Sequence, residues 1–184
     1  MNPTFEGAIA ANPGDATAWQ VYADWLIEQG EPWGEVLAAA HQGNPDGARQ
    51  EAAQAALLGG FTATVTWHRG VMHHFDFRPV EETREPMHLV LERVLKHPAG
   101  HFMRKLTLGL PPSEALKWHM EDLTKAIANA GPLPCLEKLD MSLPAEHMDE
   151  PSWRRVSALL PMAEFGEQKT EVDDPGYRYP SVME

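Results

Sequence analysis

Apolar residues in the first third of the chain recur at the spacing of helices. The clearest apolar face has positions i, i+3, i+4, i+7 and i+8, as an amphipathic helix requires: Trp19, Tyr22, Ala23, Leu26 and Ile27. Asp15 precedes this face as an N-cap, and Gly30 follows it as a stop. Turns that contain proline or glycine divide residues 1–58 into four predicted helices.

After Gly60 the pattern changes from helical spacing to alternation. Residues 61–67 alternate and are rich in β-branched and aromatic side chains, which predicts a strand. A turn at His68-Arg69-Gly70 and a second strand over residues 71–77 complete a predicted β-hairpin.

One short stretch then occurs twice. Residues 103–111, Met-Arg-Lys-Leu-Thr-Leu-Gly-Leu-Pro, return 33 residues later as 136–144, Leu-Glu-Lys-Leu-Asp-Met-Ser-Leu-Pro. Phe75-Asp76-Phe77 is a weaker, earlier copy. Amphipathic helices are predicted between the copies, and strands at a fixed period with helices between them indicate stacked repeats with parallel strands.

These patterns predict an α/β fold. An N-terminal helical cap and a β-hairpin lead into a short parallel β/α stack that resembles a leucine-rich repeat, with strands on its concave side. We expect a helical region at 1–58, a leucine-rich-repeat-like region at 59–165 and an acidic flexible tail at 166–184. Because a single repeat cannot bury its apolar face alone, the N-terminal helices and hairpin are expected to cap one end of the stack.

The N-terminal helices resemble a known family in three segments. In the first segment, residues 5–15, the resemblance lies in Phe5, Ala8-Ile9, Asn12-Pro13 and Asp15. The second segment is Val-Tyr-Ala-Asp-Trp-Leu-Ile-Glu at 21–28, and the third is Gly-Glu-Pro-Trp-Gly-Glu at 30–35. Over about residues 5–40 the chain resembles the bacterial repeat-companion domain, often found beside leucine-rich-type repeats. Glu31 and Trp33 stand where that family usually has Asp and Arg. The family carries no established catalytic activity, so the resemblance implies none.

Composition narrows the choice of partner. The net charge is −12, with 27 acidic against 15 basic residues, which disfavours nucleic acid and anionic membranes and favours a basic or neutral protein. The chain shows no signal peptide and no apolar run of about 18 residues, so cytoplasmic residence is expected. Cys135 is the only cysteine and is expected to be a small buried residue.

Nine histidines raise the question of a metal site. Adjacent His73 and His74 on a strand are expected to point to opposite faces. No phosphate loop, dinucleotide fingerprint or nucleophile elbow is present, so neither a cofactor nor catalysis is expected. One alternative stays open, in which His68, His73 and His74 converge with Asp76 on a metal and the hairpin forms a metal-dependent hydrolase.

The repeats predict a row of outward polar side chains. If Leu106 and Leu108 point inward, then Lys105 and Thr107 point outward, and the other copies follow the same rule. We call the outward set the polar strip: His74, Asp76, Lys105, Thr107, Lys138 and Asp140. Neighbouring strands lie about 4.8 Å apart, so the two lysines are expected to form one positive site for a partner carboxylate.

Trp25 is a further candidate for partner contact, because exposed tryptophans are enriched at interface hot spots. The competing interpretation is that Trp25 packs against the third helix, while Asp24 caps that helix or bonds near Gly34. The resulting hypothesis is a non-enzymatic protein–protein interaction module. A narrower version is a stoichiometric regulator, such as an inhibitor or an immunity protein.

Overall fold

The computed structural model of the protein describes residues 2–77, 86–109, 116–142 and 164–165. The predicted tail at 166–184 and the helix predicted from residue 151 lie outside the described residues. Within them, the elements in chain order are α1 (Pro3–Ala11), α2 (Ala16–Glu28), α3 (Trp33–His41), α4 (Gly47–Leu58), β1 (Ala63–His68), β2 (Val71–Phe77), α5 (Met87–Lys96), α6 (Pro98–His101), β3 (Lys105–Gly109), α7 (Leu116–Ala130), β4 (Lys138–Ser142) and β5 (Glu164–Phe165).

The strands form one mixed sheet in the order β1-β2-β3-β4-β5. The hairpin pair β1–β2 is antiparallel, and each later pair is parallel. The two repeat copies pair in register, Lys105 opposite Lys138, and Phe75 of the weaker copy lies opposite Leu106. The predicted α/β fold, with a helical region and hairpin leading into parallel strands, is therefore confirmed.

Short polar side chains start the N-terminal helices. The Thr4 N–H donates to Asn2 Oδ1 (3.1 Å), and the Thr17 N–H donates to Asp15 Oδ1 (2.8 Å). Each bond satisfies a backbone donor that the first helical turn leaves unpaired, which typically stabilises a helix by about 1 kcal/mol. The predicted cap at Asp15 is confirmed.

One hydrophobic cluster runs through both halves of the chain. The core face of the sheet carries Phe75, Phe77, Leu106, Leu108 and Leu139, all at most 1% exposed, and α5 and α7 contribute to the same cluster. Phe102 joins the N-terminal helices to it through edge-to-face contacts with Trp19 (5.0 Å) and Tyr22 (5.2 Å). The core is thus continuous across the predicted boundary at residue 58.

Trp33 fixes the hairpin turn to α3. Its indole N–H donates to Gly70 O (3.0 Å), and its ring contacts those of Trp67 (5.9 Å) and His97 (5.1 Å). Trp33 is 5% exposed, so its role here is to join α3, the hairpin and the start of the repeats. The residue that departs from the family pattern is therefore a core contact.

Candidate functional site

The structure brings the six residues of the polar strip together on three neighbouring strands. His74, Lys105 and Lys138 are aligned in one row across β2, β3 and β4. The next row along the strands contains Asp76, Thr107 and Asp140. Buried core residues alternate with the strip residues along these strands, so the pairing of the strands sets the spacing of the strip.

Asp140 bridges the two lysines of the strip. Its Oδ2 lies 3.2 Å from Lys105 Nζ, and its Oδ1 lies 3.4 Å from Lys138 Nζ. The two lysines are adjacent as expected, but Asp140 partly neutralises the positive site that they form. The reason is the strand period: Asp140 lies two residues after Lys138, on the same face, and diagonally opposite Lys105. The lysine side chains remain 37% and 43% exposed, so this charged cluster is accessible to a partner.

Thr107 is in the strip but is not available for contact. It is only 3% exposed, and its Oγ1 lies 3.0 Å from His74 Nε2. Burial and the neighbouring Lys105 ammonium lower the pKa of His74, although Asp76 and Asp140 oppose this shift. A neutral imidazole therefore covers the short hydroxyl. The expectation that Thr107 is exposed on the strip is wrong for this reason, while its contact with a partner stays a prediction.

A β-bulge changes the direction of the adjacent histidines. Thr66 lies opposite His74 but Trp67 lies opposite Met72, which leaves His73 as an extra residue in β2. The His73 ring lies 5.9 Å from that of His68, while His74 contacts Thr107. The two imidazoles therefore have different neighbours, and the bulge interrupts the simple alternation on which the expectation of opposite faces depended.

The surroundings of Asp24 and Trp25 are as follows in the described structure. Trp25 is half-buried, with its ring against those of Tyr22 (5.9 Å, stacked) and Phe5 of α1 (5.9 Å). Asp24 is exposed and accepts a hydrogen bond from Gln20 Nε2 (3.2 Å). The predicted cap of α3 by Asp24 is wrong, because the N-cap residue is Pro32 and the Trp33 N–H donates to Glu31 Oε1 (3.3 Å). The place of Glu31 two residues before the first helical turn was the overlooked signal.

The remaining chemistry candidates are mostly structural in the described part of the chain. His97 Nδ1 accepts from the Ala99 N–H (3.1 Å), and His101 faces Glu6 in the core, with 3.3 Å between Nε2 and Oε2. The described residues contain no cluster of three or more metal-ligating side chains. Cys135 is buried as predicted, and burial raises the pKa of its thiol to about 11.

No described helix has both the length and the apolar character that a membrane crossing requires. Comparisons with models of protein families, with curated protein sequences and with solved structures found no match to this chain. The resemblance to the bacterial repeat-companion domain therefore stays a prediction.

Proposed function

We propose that this protein is a non-enzymatic interaction module of the bacterial cytoplasm that binds another protein through the polar strip. The narrower form of the proposal is a stoichiometric regulator, such as an inhibitor or an immunity protein. The observation that supports it is the Lys105–Asp140–Lys138 cluster, which presents both signs of charge on adjacent strands.

The geometry of this cluster suits recognition of a protein surface. Its side chains are anchored on paired strands, so their spacing is set by the sheet and little backbone ordering is needed on binding. Exposed ion pairs contribute little to stability, about 0–1 kcal/mol each, so the lysines and Asp140 are free to exchange partners. Charges arranged in this way mainly set specificity and association rate.

The test starts with a partner captured from the native host and measures its association with two double variants. Lys105→Gln/Lys138→Gln removes the positive charges of the strip. Lys96→Gln/Lys125→Gln is the matched control, because it removes the same charge from α5 and α7, where the lysines pair with Glu92 and Asp122. We expect the association rate to change about tenfold or more in the strip variant only, with slower association for a partner that offers a carboxylate and faster association for one that offers a lysine or arginine. Equal effects of the two variants would contradict the proposal.

Asp140→Asn identifies the charge that the partner presents. Without this carboxylate the two lysines lose their bridging acid, so a partner that offers a carboxylate is expected to associate faster. A partner that offers a lysine or arginine to Asp140 is expected to associate more slowly. An unchanged rate would show that the charged cluster is outside the interface and would count against the strip.

A further inference from the structure

A cavity of about 490 Å³ lies at the amino-terminal ends of the parallel strands. Its size falls within the range of about 300–1,000 Å³ that is typical of small-molecule sites. Five of its lining residues carry basic side chains: His41, His68, Arg69, His73 and Arg104. No aspartate or glutamate is among the described residues that line it. Two arginines and three histidines without a lining acid contrast with the net charge of −12 of the whole chain.

Arg69 is in a backbone conformation that arginine rarely adopts. Its φ is +49°, and Gly70 follows with φ +81°, so both central residues of the hairpin turn are left-handed. Asn, Asp and Gly are the residues that favour this position, and a bulky residue there is strained. Arg69 is exposed and pairs with none of the described carboxylates. The turn therefore carries a guanidinium that local structure does not require.

Arg104 is positioned by backbone bonds on both sides. Its N–H donates to His73 O (3.0 Å), and its O accepts from the Glu137 and Lys138 N–H groups (2.9 and 3.0 Å). These bonds tie it to the bulged residue of β2 and to the start of β4. Its side chain pairs with Glu137 (3.3 Å), whose side chain is 63% exposed, so this acid lies toward solvent.

His41 also lines the cavity, and one of its ring nitrogens is buried without a partner in the described structure. Its ring stacks on Trp19 at 5.2 Å, and the buried nitrogen is Nε2. Burial, and then the charge of Arg69, lower the pKa of His41, and burial with Arg69 also lowers that of His68. The basic groups thus disfavour one another's charged forms, and an anion among them would relieve this repulsion.

Most of the other lining residues are apolar. Trp19, Trp67 and Phe102 line the cavity together with Val71. At about 30 Å³ for each water in the liquid, the cavity has the volume of more than ten waters, whereas a bare oxyanion fills only a fraction of it. A ligand that matches the whole cavity therefore has an anionic group and an apolar body.

We propose that this cavity binds a small organic anion, whose carboxylate or phosphate group is held by Arg69 and Arg104 while its apolar body lies against the aromatic walls. The proposal does not depend on the polar strip, because none of the strip residues lines the cavity.

The experiment is isothermal titration calorimetry of the full chain with four probes: phenyl phosphate, phenylacetate, inorganic phosphate and neutral benzyl alcohol. We expect saturable binding of at least one aromatic anion, at least tenfold tighter than of benzyl alcohol and of inorganic phosphate. The two aromatic anions distinguish a phosphate from a carboxylate ligand. No saturable binding of either anion, or equal binding of the charged and neutral aromatic probes, would overturn the proposal.

Three variants separate binding from folding. Arg69→Asn suits the left-handed turn, so we expect it to keep or raise the melting temperature while it weakens binding of the aromatic anion at least tenfold. Arg104→Gln is expected to weaken binding to a similar extent. Arg49→Gln is the matched control, since Arg49 lies on α4, paired with Glu35 and Asp46, and its binding should equal that of the wild type. Binding that survives both Arg69→Asn and Arg104→Gln would refute the assignment.

Discussion

The crossing of α2 and α3 depends on the absence of a side chain at Gly34. A Cβ atom at this position would lie 2.7 Å from Ala23 O, and 2.8 Å from both Ile27 N and Ile27 Cγ1. Two of these three atoms belong to the backbone of α2, so they cannot rotate away as a side chain can. Gly34→Ala therefore requires the two helices to move apart.

The expected magnitude follows from two opposing effects. Alanine favours a helix over glycine by about 1 kcal/mol, which would stabilise the variant. Overpacking that forces backbone shifts costs typically about 1–3 kcal/mol and occasionally more, and contacts below 3.0 Å with backbone atoms place Gly34 at the upper end. We expect a net loss of about 2 kcal/mol in the free energy of unfolding. For a chain of this length, that corresponds to a fall of roughly 4–8 °C in melting temperature.

Gly7→Ala is the matched control. Gly7 lies within α1, and a Cβ atom there would have no neighbour within 4 Å. Only the propensity gain remains, so stability is expected to rise by about 0.5–1 kcal/mol. Urea unfolding, followed by tryptophan fluorescence and circular dichroism, measures the free energy of unfolding of both variants. The m-value is expected to be unchanged, so that a shifted midpoint reports a change in stability. A lower unfolding free energy for Gly34→Ala together with a higher one for Gly7→Ala would support the close approach of the helices. A Gly34→Ala variant as stable as the wild type would refute it.

Two further predictions concern buried polar groups. Tyr22 is 0% exposed, and its hydroxyl has no hydrogen-bond partner among the described residues. Tyr22→Phe is therefore expected to raise the unfolding free energy by about 1 kcal/mol. A decrease of that size in urea unfolding would show that the hydroxyl is hydrogen-bonded. Burial lowers the pKa of His97, and its Nδ1 accepts a hydrogen bond from the Ala99 N–H. Below about pH 6.5 the unfolded chain therefore binds more protons than the folded chain, and the free energy of unfolding should fall as the pH drops. His97→Asn keeps a hydrogen-bond acceptor but does not titrate, so it should reduce the pH dependence of the unfolding free energy by up to about 1.4 kcal/mol per pH unit. Unfolding curves of this variant from pH 7.5 to 5 that keep the wild-type pH dependence would contradict this role.

Features that depend on neighbours in sequence could be predicted without a structure. The cap at Asp15, the helical face containing Tyr22 and Leu26, and the turn before Gly70 each follow from local backbone preferences. The register of Lys105 with Lys138 also follows from sequence, because the same apolar pattern occurs twice and must be buried twice on the same face. Because the apolar pattern is repeated, it also predicts which residues of two distant strands lie opposite each other.

Features that depend on how distant elements meet were decided by the tertiary structure. The bulge at His73 exists only through pairing with β1, and the burial of Thr107 requires His74 from the neighbouring strand. The contact of Trp25 with Phe5 of α1 depends on how whole helices dock, which the spacing of residues within α2 does not determine. The basic cavity is the extreme case: Arg69 and Arg104 are 35 residues apart in the chain, and no periodic pattern relates them. Sequence periodicity reports which face of an element is buried, whereas the residues that converge on a site are set by contacts between elements.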